Sequence, residues 1–262
     1  MKNKRLTAKD FDPKILELYD HYAHGKMTKR ELLKNIGKYT AAGVTALSVF
    51  NNLMPNYALA EQVNFNDPEI KANYITYNSG NGNGKINAYY VKPSKITEKT
   101  SAVLVIHENR GLNPYIKDVA RRVAKAGFIA LAPDGLSSLG GYPGNDAEGK
   151  ILQKKIDREK LLNDFFNAFE FLLNHQDTNK KIGAVGFCYG GGVCNALAVA
   201  YPELSASVPF YGSQARSEDV KKIKTPLLLH YAEFDERINK GWPEYEAALK
   251  ANNKKYQAYI YK

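Results

Sequence analysis

The sequence is poor in cysteine, with only Cys188 and Cys194 among its 262 residues. No histidine or further cysteine stands near either one at the spacing of a zinc site, so neither a disulfide framework nor a structural metal site is predicted. Any reactive role of cysteine in this protein would therefore belong to a free thiol.

The N-terminal region lacks an apolar run long enough to cross a membrane. Residues 40–60 carry no charge, but only Ala41 to Phe50 are apolar, about half of the roughly 20 residues that a bilayer span requires. Asn51, Asn52 and Pro55 interrupt the segment after Phe50. The sequence therefore predicts no stable membrane span.

A dense basic run is also missing, although the net charge is +10. Residues 1–60 hold ten Lys or Arg residues and five Asp or Glu residues, and the rest of the positive excess is dispersed over the remaining chain. Proteins that bind nucleic acid usually concentrate their basic residues in one segment or on one face. Nucleic acid is therefore not predicted as a partner.

Residues 1–60 support two interpretations. The basic pair Lys29-Arg30, the apolar residues after it and the small residues Ala58-Leu59-Ala60 are similar to a twin-arginine export signal, with Lys29 at the first arginine position. Alternatively, Thr28 and Glu31 form a capping box at a helix start, and the segment is an appended helical arm. A cytoplasmic and an exported location both stay open.

From residue 61 onward, strand-like and helix-like apolar patterns alternate, and we predict that residues 61–262 form one domain. The Gly- and Asn-rich segment 78–84 predicts a hairpin turn, and the continuous apolar run 102–106 predicts a strand buried on both faces. Alternation of this kind is typical of an α/β fold with a mostly parallel, doubly wound sheet. Further strands are predicted at 128–132, 182–185, 207–211, 227–231 and 256–260, and helices at 115–126, 158–175, 190–200 and 243–251.

The sharpest motif is Gly186-Phe187-Cys188-Tyr189-Gly190, between an apolar strand and a helix of small residues. It has the spacing of the G-x-S-x-G turn that presents a nucleophile, with cysteine in place of serine. Glycines at the flanking positions suit a turn this tight, and a helix N-terminus favours a thiolate. Cys188 is therefore a candidate nucleophile, whereas Cys194 is most simply a small core residue.

Three further motifs, taken with the cysteine turn, carry a resemblance to a known family. They are Val105-Ile106-His107-Glu108-Asn109-Arg110-Gly111-Leu112 at the end of an early strand, Ala132-Pro133-Asp134 at the end of the next, and Asp235 just past strand 227–231. In this order they resemble the dienelactone hydrolase family of the α/β-hydrolase superfamily. The similarity covers roughly residues 70–260.

The resemblance implies hydrolysis of a small-molecule ester or lactone without a metal or an organic cofactor. It implies Cys188 as the nucleophile, Asp235 as the acid of its triad, and Glu108 as a carboxylate beside the resting thiol. It also implies that the backbone N–H groups of Tyr189 and Asn109 hold the oxyanion.

Each of these residues also has a structural interpretation. Glu108 could form an ion pair with Arg110 or Arg121, and Asp235 could be a solvated loop carboxylate. His107 and His230 stand at strand ends, where a structural histidine is the commoner case.

The expected triad histidine is missing from the sequence. The family places it after the last strand, but all five histidines precede Asp235: His21, His24, His107, His175 and His230. The position of the family's substrate-binding arginine falls on Ser138, so recognition of an anionic substrate is not expected from it. We expect a C-terminally truncated fold that lacks its last loop and helix, and we expect this chain to be a poor hydrolase. The alternatives are a non-catalytic remnant or binding scaffold of the same fold and, more weakly, a peptidase. The oligomeric state stays open.

Overall fold

A computed structural model describes residues 10–23, 26–40, 45–54, 57–96 and 98–262. The chain divides into two compact units, Met1–Ala60 and Glu61–Lys262. Across the described ranges, no helix is both long enough and apolar enough to cross a membrane.

The N-terminal unit contains four helices in its described residues: α1 (Pro13–Ala23), α2 (Lys29–Ile36), α3 (Ala46–Leu53) and α4 (Tyr57–Ala60). The predicted capping box is present at the start of α2, where the Thr28 N–H donates to the Glu31 carboxylate at 2.7 Å and the Glu31 N–H donates to the Thr28 hydroxyl at 3.2 Å. The first three helices bury a small apolar cluster of their own: Ile15, Leu32, Ile36, Val49 and Phe50. His24 and Gly25 lie outside the described residues.

The second unit is an eight-stranded sheet with the order β1-β2-β4-β3-β5-β6-β7-β8. The strands are β1 (Ile70–Ser79), β2 (Gly84–Pro93), β3 (Thr100–Ile106), β4 (Ile129–Pro133), β5 (Thr178–Phe187), β6 (Ala206–Phe210), β7 (Leu227–Ala232) and β8 (Tyr256–Tyr261). The pairs β1·β2 and β2·β4 are antiparallel, and all later pairs are parallel. The predicted hairpin is confirmed, since Ser79 pairs with Gly84, whose φ is +82°.

Helices cover both faces of the sheet, as the doubly wound α/β prediction requires. They are α5 (Pro114–Lys125), α6 (Asp146–Gln153), α7 (Arg158–Asn174), α8 (Tyr189–Ala200), α9 (Glu236–Asn239) and α10 (Trp242–Ala251). Helix α5 packs on one face through Ile116 and Ala120. Helices α7, α8 and α10 pack on the other face through Phe165, Leu197 and Leu249. The predicted fold class is confirmed.

Several elements differ from the sequence prediction, α6 and β5 among them. Helix α6 was not predicted, because it is only eight residues long and contains a glycine, Gly149. Strand β5 begins at Thr178 and not at Ile182, because its first residues are polar and give no apolar alternation. Backbone pairing of Thr178 with Thr100 of β3 extends this strand beyond the apolar segment 182–185 that the sequence predicted.

Candidate active site

Cys188 occupies a tight turn between β5 and α8. Its φ of 53° and ψ of −110° are unusual for a residue with a side chain, and such strain is typical of functional turns. The backbone N–H of Cys188 donates to the Phe210 carbonyl at 3.0 Å, which holds the turn against β6. A Cβ on Gly186 would lie 2.2 Å from the Gly190 carbonyl oxygen, and one on Gly190 would lie 2.4 Å from that of Ile106. The flanking glycines are therefore required by close backbone packing.

Glu108 follows β3, the strand that pairs with β5, so it lies at the same carboxyl edge of the sheet as Cys188. The Asn113 side-chain amide donates to Glu108 Oε2 at 3.4 Å. Burial raises the pKa of the Glu108 carboxyl, and the nearby Arg110 charge only partly opposes this. Glu108 is thus a carboxyl group whose charged form is disfavoured.

Both arginines that could pair with Glu108 have other carboxylates beside them. Arg110 Nη1 lies 3.0 Å from Asp146 Oδ2, and Arg121 Nη2 lies 3.0 Å from Glu61 Oε1. Each arginine therefore forms an ion pair with a carboxylate distant in sequence, and the charge of Arg110 also acts on the Glu108 carboxyl.

His107 is a structural residue beside the site. Its side chain is fully buried, its Nδ1 lies 2.5 Å from the Glu108 carbonyl oxygen, and its Nε2 accepts from the Gly135 N–H at 3.0 Å. These partners require the proton on Nδ1, and burial lowers the pKa of the ring, which keeps it neutral. His107 thereby fixes the backbone at the start of the Glu108 loop.

Asp134, just after β4, fixes the same loop from the other side. Its Oδ1 accepts from the N–H groups of Leu112 and Leu136, and its Oδ2 accepts from that of Tyr142 at 2.7 Å. In the sequence, Asp134 was named only as part of a motif of the family resemblance, and no role was predicted for it. Its structural role follows from three backbone N–H donors that converge on its carboxylate.

The predicted oxyanion donors lie on the two segments around the site. Tyr189 is the first residue of α8, so its backbone N–H has no acceptor within the helix. Its side chain points into the protein, where the centroid of its ring lies 6.1 Å from the ring centroid of Phe165. Asn109 lies next to Glu108, and its side-chain oxygen accepts from Arg110 Nε at 3.4 Å.

Asp235 follows β7, two strands away from β5 along the sheet. Its Oδ1 accepts from the Ile238 N–H at 3.2 Å and caps α9, and its Oδ2 lies 3.7 Å from Arg237. The structure brings Glu108 and Cys188 to neighbouring strands and gives Asp235 a helix-capping role.

His230, on β7, is enclosed by aromatic rings. Its ring stacks on Phe210 at 4.1 Å, and its Nδ1 lies 2.8 Å from the Tyr261 hydroxyl. These contacts support the structural interpretation of this histidine.

Two residues near Cys188 were not singled out from the sequence. Tyr211 follows β6 with a φ of 39°; burial raises the pKa of its hydroxyl, and the charges of Glu108 and Cys188 add to this effect. Lys150 lies on α6, where burial and the charges of Lys154 and Arg110 lower the pKa of its amine to about 8, and the charge of Cys188 partly opposes this. No sequence motif marks either residue, and for Lys150 the helix itself was not predicted.

The site carries no cluster of metal ligands. In the ranges that the structure describes, no group of three His, Cys, Asp or Glu side chains could hold a metal ion.

The family model of the "Dienelactone hydrolase family" matches residues 86–262. The chain belongs to the dienelactone hydrolase family. A second model, described as "YqhI-like", matches residues 2–38, within the N-terminal unit. The dienelactone hydrolase match thus lies within the unit that carries the sheet and the cysteine turn.

Relatives support membership of the dienelactone hydrolase family. The chain is 68% identical over 114 residues to "Putative hydrolase fragment YghX" of Escherichia coli, an alignment that covers 44% of this chain and 97% of that protein. It is 31% identical over 215 residues to a "Putative carboxymethylenebutenolidase" of Saccharolobus solfataricus, covering 68% of this chain and 81% of that one. A crystal structure named "Putative Dienelactone Hydrolase" from Klebsiella pneumoniae superposes with a TM-score of 0.64 at 23% identity, covering 74% and 85% of the two chains, which shows the shared fold.

Proposed function

We propose that this dienelactone hydrolase family member hydrolyses an ester or lactone with Cys188 as the nucleophile. The observation that carries the proposal is the strained backbone of Cys188 at the β5–α8 turn, beside the loop that bears the half-buried Glu108. Such a turn raises a side chain above the edge of the sheet, where a substrate can reach it.

In the proposed reaction, the Cys188 thiolate attacks the carbonyl carbon and forms a C–S bond. The carbonyl oxygen becomes an oxyanion, which the backbone N–H groups of Tyr189 and Asn109 stabilise. Collapse of this intermediate breaks the bond to the alkoxide, which takes up a proton. Water then attacks the thioester, releases the acid and regenerates Cys188.

Glu108 is proposed to receive the proton of the resting thiol. A carboxyl group whose pKa is raised by burial is a better proton acceptor than an ordinary, exposed carboxylate. Asn113 and the backbone around His107 hold the Glu108 segment in place.

We infer that the 262-residue chain turns over slowly, because no histidine occurs among residues 236–262. Asp235, the proposed triad acid, then has no imidazole to orient. A positioned general acid or base contributes on the order of 10²- to 10⁴-fold to such reactions. Loss of that contribution would leave the thiolate and the oxyanion donors as the main catalytic groups.

The test is hydrolysis of p-nitrophenyl acetate by the purified chain, with Cys188→Ala as the control. We expect weak turnover that disappears in Cys188→Ala, and a Cys188-dependent increase when imidazole is added as an external base. Robust turnover without imidazole would contradict the proposed impairment. Turnover that survives Cys188→Ala would contradict the nucleophile, and a complete absence of Cys188-dependent hydrolysis would favour a binding scaffold.

A further inference from the structure

Strand β8 forms one edge of the sheet, and its outer side is unpaired. In the part of the chain that the structure describes, β8 pairs with β7 alone. The Lys255 carbonyl, just before β8, accepts from the Leu227 N–H at 3.0 Å. The Tyr261 carbonyl, at its end, accepts from the Glu233 N–H at 2.8 Å. Backbone groups of successive strand residues point in opposite directions, so the groups that face away from β7 belong to Tyr256, Ala258 and Ile260.

Strand β8 lacks the features that usually keep an edge strand from pairing with another chain. Such edges commonly carry lysine, proline or a bulge. The six residues of β8, Tyr256–Tyr261, include neither a charge nor a proline, and their pairing with β7 has no shift in register. Ile260 is 55% exposed, and Phe234, in the loop beside the end of β8, is 87% exposed. The opposite edge strand, β1, contains the exposed Lys71, so β8 is the edge better suited to accept a strand.

The amino end of β8 is basic. Lys254 and Lys255 directly precede the strand, and Lys255 is exposed. Glu246, which accepts from the Tyr256 hydroxyl at 3.1 Å, is itself paired with Lys250 at 3.1 Å. The positive charge at this end of the strand is therefore not balanced by that carboxylate.

The carboxyl end of β8 is acidic. Glu233, whose backbone is bonded to the end of the strand, is exposed, and so is Glu236. Asp235 and Arg237 lie 3.7 Å apart, so their charges offset each other. The two exposed glutamates outnumber the single positive charge of Lys262. The two ends of β8 thus carry opposite charge.

We propose that two copies of this chain associate through β8, with the two strands antiparallel about a two-fold axis. Antiparallel pairing sets the basic end of each strand beside the acidic end of the other, so the edge is complementary to itself. An axis at Ala258 places outward-facing residues opposite one another, with Tyr256 of each copy across from Ile260 of the other. The two sheets then become continuous. This interface is independent of the proposed role of Cys188.

Sedimentation velocity of the purified 262-residue chain measures its association. We expect the dimer fraction to rise between about 1 and 100 µM, because one strand from each copy forms a small interface and a correspondingly weak complex. Ala258→Pro removes an outward-facing N–H donor and leaves the hydrogen bonds to β7 in place, so this variant should be monomeric. Thermal unfolding checks that it keeps the wild-type fold.

Charge reversal tests the pairing without altering the strand itself. Lys255→Glu and Glu233→Lys should each weaken dimerisation by about five- to twentyfold, because each sets like charges against each other twice in the interface. An equimolar mixture of these two variants should recover dimers, since mixed pairs again bring opposite charges together. Lys71→Glu, on the opposite edge, is the matched control and should dimerise like wild type. These surface changes test the interface even if proline disturbs the fold.

Each contrary result would overturn the proposal. A wild-type chain that stays monomeric up to about 100 µM would mean that β8 is not an edge for self-association, even if another protein binds there. Dimers that persist undiminished in a folded Ala258→Pro chain would use another surface. If mixing the two charge variants fails to recover dimers, the strands are not antiparallel, and growth beyond dimers would exclude a closed two-fold pair.

Discussion

Cys188 and Glu108 are both held in states that cost the folded protein stability. A residue other than glycine in a strained backbone conformation costs on the order of 1–3 kcal/mol. Burial of Glu108 disfavours its carboxylate, as the raised pKa indicates. Costs of this kind concentrate at functional sites, because selection for activity keeps residues that selection for stability would replace.

This cost leads to a prediction for Glu108→Gln. Because the pKa of Glu108 is raised in the folded state, the folded protein favours the protonated carboxyl, and wild-type stability is lost as the pH rises above about 4.5. Glutamine removes the charge at this half-buried position. At pH 7 we expect Glu108→Gln to be more stable than wild type by about 1 kcal/mol, or roughly 2–4 °C in Tm.

Thermal unfolding at several pH values checks this prediction. The advantage of Glu108→Gln should shrink between pH 7 and pH 4.5, whereas Glu98→Gln at an exposed position should show no such trend. A variant that is less stable than wild type at pH 7 would mean that the Glu108 carboxylate contributes stabilising contacts that outweigh its burial.

At the scale of elements, the β1–β2 hairpin is joined to α7 through one buried carboxylate. Asp164 is fully buried, and its two oxygens accept from the backbone N–H of Asn83 at 2.8 Å and from the Asn83 side chain at 2.6 Å. The Tyr77 hydroxyl donates to the Asp164 carbonyl at 2.7 Å. These contacts attach the antiparallel end of the sheet to the helix that covers it.

Replacement of Asp164 should therefore weaken the fold. We expect Asp164→Ala to lower the free energy of unfolding by about 2–4 kcal/mol, because two donors on the half-buried Asn83 would lose their acceptors. Asp164→Asn keeps an acceptor and should lose clearly less. Urea unfolding measures both variants, and equal losses for the two would show that the hydrogen bonds to Asn83 are not the source of the effect.

Helix α6 shows how a short element can define a site. Its apolar pattern is weak, yet an Asn145 side-chain cap and the ion pair between Asp146 and Arg110 hold it in place. Contacts distant in sequence therefore decide its position, and local propensity contributes little.

At the scale of the whole molecule, the two compact units bury separate apolar clusters. The second unit is well anchored at its first residues: Asp118 on α5 accepts from the N–H groups of Gln62 and Val63, and Arg121 donates to the Val63 carbonyl. We propose that residues 61–262 form an independently folding domain, and that residues 1–60 are an appended helical arm. The export interpretation of residues 1–60 stays a prediction.

The deletion of residues 1–60 tests this proposal. We expect residues 61–262 to unfold within about 2 °C of the main transition of the intact chain, and Cys188 to react with iodoacetamide at the same rate. Thermal unfolding and alkylation kinetics measure the two quantities. A large fall in Tm would mean that residues 1–60 stabilise the sheet domain.

Most of the sheet could be predicted from the sequence, because its strands are apolar runs bounded by turns. The runs at 102–106 and 227–231 both lie within observed strands. The polar start of β5 and the whole of α6 could not be predicted, because pairing and ion pairs outside these segments stabilise them. At the candidate site, the cysteine turn and Glu108 were identified from motifs, whereas Tyr211 and Lys150 have none.

The sequence by itself determined the fold class and the family, because apolar periodicity and the glycine-flanked Cys188 are local properties of the chain. Only the tertiary structure decided which charges surround that cysteine. Glu108 and Cys188 come from separate segments that meet at the carboxyl ends of the neighbouring strands β3 and β5, and the pKa of Glu108 depends on burial and on the charge of Arg110. Tertiary structure likewise placed Asp235 after β7, with β6 between that strand and the β5 strand of Cys188, and gave Asp235 a helix to cap.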